Sequence, residues 1–212
     1  MIENNNYESK TNQRAVKRLF DLLLAPIILL FSFPLLIISI MVIKIKSPEG
    51  SVIYKQVRSG YKSKLFTMYK LRTMTNERDS DGNLLEDKKR LKNWGKVIRK
   101  IGLDEIPQMI NVIKFEMSLI GPRPILPSYV ERLDNYQLRR QDALPGISGW
   151  QTVNEWKTYS WDKSFEYDNY YIDNFSLWLD AKIFFKTLKM VLLMYRTNED
   201  YRPTFDEYYN NK

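Results

Sequence analysis

Residues 22–43 read LLLAPIILLFSFPLLIISIMVI, 22 residues without a charge. About 20 predominantly apolar residues suffice for a helix to cross the hydrocarbon of a bilayer. A run of this length is therefore read as a membrane segment in preference to a buried helix of a soluble core. Pro34 lies near its middle, and an interior proline removes one ladder hydrogen bond and clashes with the preceding turn. A break is expected there, with Pro26 as a second weak point; neighbouring groups in a membrane can rescue such breaks. Arg14, Lys17 and Arg18 precede the run, and Lys44 and Lys46 follow it. Basic flanks mark the cytoplasmic side, and here both ends carry them. A straight span cannot put both ends on one side, whereas a helix bent at Pro34 can. The expectation is a re-entrant helix–break–helix over residues 14–46, with a simple span as the alternative. A cleaved signal peptide is shorter and ends in a small-residue cleavage site, which this run lacks.

The remaining length, out of 212 residues, suits one compact cytoplasmic domain over residues 47–195, with loose tails at 1–13 and 196–212. The 33 basic and 25 acidic residues leave a net charge of +8. Nucleic acid, anionic lipid or a phosphorylated substrate would each suit that charge; beside a membrane segment, lipid and phosphate are the economical partners and nucleic acid is set aside. Cys and His are both absent. Disulfides, thiolate metal sites and an imidazole base are thereby excluded. Catalysis would fall to carboxylates, Lys, Arg, Tyr or hydroxyls.

Val52–Val57 and Leu65–Met74 read as two strands of a hairpin. Strand alternation puts Phe66, Met68, Lys70, Arg72 and Met74 on one face. Between Ile53 and Met74 there are six basic residues and no acid. Two readings stand: a solvated hairpin edge, where Lys discourages aggregation, or an anion site in which Arg58, Lys70 and Arg72 converge on phosphate. Asp79-Ser80-Asp81 matches the D-x-D pattern by which many glycosyltransferases hold a metal, but a segment rich in Asp, Ser, Gly and Asn is also an ordinary turn. It is no calcium loop, since Arg90 stands where the twelfth-position Glu belongs.

Lys88–Lys100 predicts a basic amphipathic helix, interrupted at Gly102-Leu103. Asp104 and Glu105 open the next helix, with Pro107 in its first turn. From spacing alone the pair is a cap with dipole compensation or a catalytic pair. Ser118–Pro124 (SLIGPRP) fixes the backbone around Arg123, and Pro145–Trp150 (PGISGW) is a second structured loop. An aromatic-rich stretch follows over residues 150–178, suited to a core or an interfacial belt, with Asp168, Asp173 and Asp180 alongside. Ala181–Tyr195 is amphipathic and is expected to cover the core, with a place on the membrane as the alternative. The fold class is α+β, mostly helical, with a small β-hairpin.

In chain order the sequence offers KRLFD, the apolar run with Pro34, GSVIYKQVRSG, FTMYKLRTM, LDEIPQMINV, MSLIGPRP, PGISGWQ and SLWLDAKIFFKTL. This series resembles the monotopic polyprenyl-phosphate phosphoglycosyl transferases, bacterial sugar transferases, in their small single-domain form. It covers roughly Lys17 to Val191. The resemblance implies a re-entrant helix broken at Pro34, on the cytoplasmic face of the bacterial inner membrane. It implies transfer of a sugar phosphate from a UDP-sugar to undecaprenyl phosphate, with release of UMP and with downstream glycosyltransferases as possible partners. By position Asp104 is the covalent nucleophile, with Glu105 beside it and Mg²⁺ held by the pair. Lys70, Arg123, Asp168 and Asp180 fall at active-site or structural polar positions. N-acetylated, often deoxygenated sugars are the first guess for the donor. Three departures stand out: Phe33 replaces a Ser before the proline, Leu144 an Arg before PGI, and Asn154-Glu155-Trp156 an Asn-Gly-Arg. Donor preference would differ if those arginines bind the donor. A metal-dependent glycosyltransferase using Asp79 and Asp81, and a basic membrane adaptor without activity, are the competing readings.

Overall fold

The computed structural model describes residues 2–154, 160–193 and 205–210, with the backbone alone for 2–11. Helix α1 (Ile2–Lys46) leads into a hairpin of β1 (Ile53–Ser59) and β2 (Leu65–Leu71). Short helices α2 (Asp87–Arg90) and α3 (Asn93–Lys100), a 3₁₀ turn (Leu103–Gln108) and α4 (Met109–Ile113) follow. Then come β3 (Ser118–Ile120), α5 (Pro127–Val130), α6 (Asn135–Leu138), β4 (Gly146–Ser148) and α7 (Trp150–Asn154). Helices α8 (Trp161–Asp173), α9 (Leu177–Leu192) and α10 (Phe205–Asn210) complete the described chain.

Helix α1 is continuous through Pro26 and Pro34, so the helical backbone does not stop where a break is expected. Each proline costs one ladder bond, and the neighbouring bonds keep the helical dihedrals. The helix also takes in the polar residues read as a loose N-terminal tail.

One domain grips both ends of the apolar run. At the first end Lys17 Nζ donates to Asp180 Oδ2 at 2.7 Å and to the Ile120 carbonyl at 2.9 Å. Arg18 donates to the carbonyls of Met117 and Val112 and lies over the Phe115 ring. Asp21 accepts from the Leu119 amide. At the other end Ile43 and Ser47 are fully buried, and Arg72 donates to the carbonyls of Ser47 and Gly50. Between the two, Leu24, Ala25, Ile28 and Leu29 join one apolar cluster, and Leu36, Ile40 and Ile43 join another; Ile106 touches both. The far side of α1 exposes Leu23, Ile27, Leu30, Phe31, Leu35 and Ile38. A contiguous apolar face of that extent needs an apolar covering.

Lys17→Met removes the cation from the Asp180 carboxylate and leaves it the Tyr171 hydroxyl. Burial already pushes Asp180 up, against the pull of Lys17. Removing one member of such a pair costs about 3 kcal/mol, so thermal unfolding in detergent is expected to drop by roughly 6–12 °C for a chain of this size.

The hairpin pairs Tyr54 with Lys70, Gln56 with Met68 and Arg58 with Phe66. β2 ends at Leu71, three residues earlier than the expected strand. Lys70 keeps its place in the alternation, while Arg72 turns away to the end of α1. The SLIGPRP and PGISG segments, separate in the sequence, meet as the parallel pair β3–β4. Gly121 permits this approach, because a Cβ there would sit 2.2 Å from the Leu144 carbonyl.

The aromatic stretch is mostly core: Phe165, Tyr171 and Phe175 are buried, while Trp156 and Tyr159 lie outside the described residues. α9 buries Leu179 and Ile183 as expected of a core cover, yet leaves Trp178, Phe185 and Leu192 exposed. The C-terminal tail is corrected in part. Phe205 of α10 is 1% exposed, packed among Tyr129, Trp161 and Phe165. An aromatic anchor with aromatic neighbours orders a short segment that composition alone does not mark. Residues 196–204 of that tail lie outside the described residues.

Candidate active site

Gly102, with φ of 76°, ends α3 in the left-handed region and turns the chain into the 3₁₀ segment. Asp104 and Glu105 are the second and third residues of that segment, 5% and 7% exposed. With about 3 residues per turn, neighbouring side chains leave a 3₁₀ helix about 120° apart, so the two carboxylates face different partners. Glu105 Oε1 accepts from Lys70 Nζ at 3.0 Å and lies 3.8 Å from Arg123 Nη1. Lys70 arrives from β2, and Arg123 from the rigid loop after β3.

Arg58 completes the basic wall. It shares the hairpin face of Lys70, donates to Gln56 Oε1 at 2.6 Å and to the Pro124 carbonyl at 3.4 Å, and among the described residues no carboxylate is paired with it. Burial, with Arg123 adding to it, pushes this guanidinium down to about 10. Two neighbouring guanidinium groups, of which only Arg123 lies near a carboxylate among the described residues, form a seat for a strongly anionic group.

The chain's similarity to known proteins bears on this arrangement. A family model described as bacterial sugar transferase matches residues 12–194. The chain belongs to the bacterial sugar transferase family. It is 47% identical over 178 residues to an uncharacterized sugar transferase, EpsL, of Bacillus subtilis, covering 84% of this chain and 88% of that one. It is 40% identical over 185 residues to a UDP-N-acetylgalactosamine-undecaprenyl-phosphate N-acetylgalactosaminephosphotransferase of Aeromonas hydrophila. It is 36% identical over 212 residues to an undecaprenyl-phosphate galactose phosphotransferase of Salmonella typhimurium. These matches cover 84% and 90% of this chain but only 44% and 43% of the two larger relatives.

Three of the expected site residues of this sugar transferase stand elsewhere. Arg72 binds the carbonyls that end α1. Asp180 holds Lys17 and accepts from Tyr171 Oη at 2.7 Å. Asp168 forms an ion pair with Arg140 at 2.8 Å, with side chains 2% and 3% exposed. All three are conformational supports, reached by strand termination and long-range packing that spacing does not report. Arg140 is the residue sequence reasoning missed: its Nη2 donates to the Arg123 carbonyl at 2.8 Å. Its signal was faint, one Arg in a basic LRRQD run just outside the PGISGW motif.

Asp79 and Asp81 are exposed, and Asp79 Oδ1 accepts from the amides of Asp81 and Asn83 at 3.0 and 2.9 Å. That is a self-capped turn. The double change Asp79→Asn/Asp81→Asn is expected to leave turnover within about twofold, as surface changes away from a site do; a loss of activity in a steady-state assay would revive the D-x-D reading.

Proposed function

We propose that this transferase moves a sugar 1-phosphate from a UDP-sugar to undecaprenyl phosphate, giving the polyprenyl diphosphate sugar and UMP. The observation that carries it is the buried Asp104 next to a buried Glu105 that faces Lys70 and Arg123, with Arg58 beside Arg123. Phosphoryl transfer depends mainly on positioning and charge neutralisation, and these cations provide both. An Asp104 oxygen attacks the sugar-bearing phosphorus. The bond from that phosphorus to the bridging oxygen breaks, and the electron pair leaves with UMP. A phosphate oxygen of the acceptor then attacks the same phosphorus and releases the Asp104 carboxylate. Splitting one displacement into two is the gain of a covalent nucleophile. Glu105, held by Lys70, fixes the adjacent backbone and keeps that cation in place.

Among the described residues no group of three or more Asp, Glu, His or Cys forms a metal cluster. Glu105 is turned to Lys70 and Arg123, so the fit for Mg²⁺ is through the Asp104 carboxylate, a hard oxygen ligand of the kind Mg²⁺ takes with water and substrate phosphates completing the shell. Bound there, Mg²⁺ would neutralise charge on the donor diphosphate.

A monotopic placement on the cytoplasmic face of the inner membrane accounts for α1. Both flanks of its apolar run are fastened to one polar domain, which a transmembrane span would separate. The relatives' names cover N-acetylgalactosamine and galactose transfer, so the donor sugar is tested openly. UMP release is measured with a panel of UDP-sugars, undecaprenyl phosphate and Mg²⁺, and intact-mass spectrometry is run without the acceptor. One donor is expected to release UMP and to leave a sugar-phosphate adduct on Asp104. Release that needs the acceptor and never yields an adduct would replace the covalent route with direct transfer; no release from any donor would remove the activity.

A further inference from the structure

A cavity of about 240 Å³ lies between the Arg14–Asp21 turns of α1 and the corner joining α8 to α9. Arg14, Lys17, Arg18 and Asp21 line its α1 side, while Leu144 and Phe175 are among its apolar walls. Neither Asp104, Glu105, Lys70, Arg58 nor Arg123 lines it, so it is separate from the active site. Its charges do not cancel. Lys17 pairs with Asp180, Arg18 with Asp21, and Lys62 with Asp142 at the rim. Arg14 is exposed, its guanidinium 6.0 Å from the Phe175 ring centroid, and among the described residues no carboxylate is paired with it.

The position of the cavity indicates its depth. The apolar run of α1 begins at Leu22, one helical turn after Arg18. Trp178, one turn beyond Phe175, is 79% exposed, and the Leu177 amide donates to Gln13 Oε1 at 3.4 Å. Trp and basic residues at the ends of membrane segments sit among lipid head groups. We infer that the cavity binds an anionic phospholipid of the surrounding bilayer, its phosphate on Arg14 and the start of one acyl chain against Leu144 and Phe175. The volume is below the ~300–1,000 Å³ that encloses a drug-sized molecule; it suits a head group and the start of a chain whose remainder stays in the bilayer. This inference rests on the proposed membrane placement.

The test uses the full chain in nanodiscs of phosphatidylcholine mixed with phosphatidylglycerol, followed by native mass spectrometry of the retained lipid. Retained phosphatidylglycerol is expected on the unaltered chain. Arg14→Ala should weaken retention about fivefold, the increment of one basic side chain at an anionic surface. Leu144→Trp should do the same by filling the cavity with no change of charge; if that variant fails to fold, Arg14→Glu serves, with retention lost. Lys163→Ala, a charge removed from outside the cavity, should have no effect. Equal retention of phosphatidylcholine, an equal loss with Lys163→Ala, or displacement by undecaprenyl phosphate would each overturn the assignment. Vesicle flotation separates the two levels: a chain that floats on neither lipid composition defeats the membrane placement, whereas one that floats without selective retention defeats the lipid site alone.

Discussion

Asp104→Asn is expected to abolish UMP release, by at least about 10⁴-fold in kcat, because removing the nucleophile of a cooperating set can cost up to about 10⁶. The amide keeps the shape of the carboxylate but cannot attack phosphorus. Asp104 is 5% exposed on a 3₁₀ turn that closes against β2 and α4, so an isosteric change leaves packing in place and the melting temperature within a few degrees. Glu105→Gln should behave differently. It removes the charge that holds Lys70 at 3.0 Å, and a misplaced cation costs about 10²–10³-fold, the range for losing one electrostatic contact to a transition state. The contrast is the test. A mass adduct that persists in Asp104→Asn and vanishes in Glu105→Gln would exchange the two roles. Wild-type turnover in Asp104→Asn would remove the covalent proposal altogether.

The apolar run, the hairpin, the Asp-Glu turn and the GPRP loop were legible in the sequence because each is written in local chemistry: uninterrupted apolar residues, strand alternation, a glycine before an acidic pair, two prolines around an arginine. The pairing of Lys70 and Arg123 with Glu105 was approachable only through the family resemblance, since the three come from separate elements. Arg72 leaves the expected face because the ladder ends at Leu71 and not at Met74. α1 stays helical through Pro34 because one lost hydrogen bond is outweighed by those on either side, and a proline can bend a helix without ending it. Phe205 and Arg140 were missed for a common reason. Arg140 gains its role from partners 17 to 28 positions away and Phe205 from partners 40 or more away, and no periodicity within a short window encodes such contacts.

Arg140→Met carries the second large effect, on stability, and on activity through it. The Arg140–Asp168 pair is 3% and 2% exposed, and Arg140 also lies over the Phe165 ring. Removing one member of a buried pair costs about 3–5 kcal/mol, a fall in melting temperature of roughly 6–20 °C at pH 8 for a chain of this length. The loss should depend on pH. Burial pushes the Asp168 carboxyl up to about 6 even with Arg140 pulling it down; without Arg140 it rises further. A carboxyl whose folded value lies above its unfolded one is stabilising when protonated, and that contribution fades as pH rises through the folded value. Arg140→Met is therefore expected to recover stability between pH 8 and pH 5, where the unaltered chain gains less. Arg140→Met/Asp168→Leu should be more stable at pH 8 than the single change, since an apolar pair of matching size removes the stranded charge. It should not regain full activity, because the Arg123 carbonyl still lacks its donor from Arg140 and the guanidinium facing Glu105 is less firmly aimed. A single variant whose unfolding is unchanged, or equally depressed at both pH values, would show that the pair neither bears the core nor carries the buried charge assigned to it.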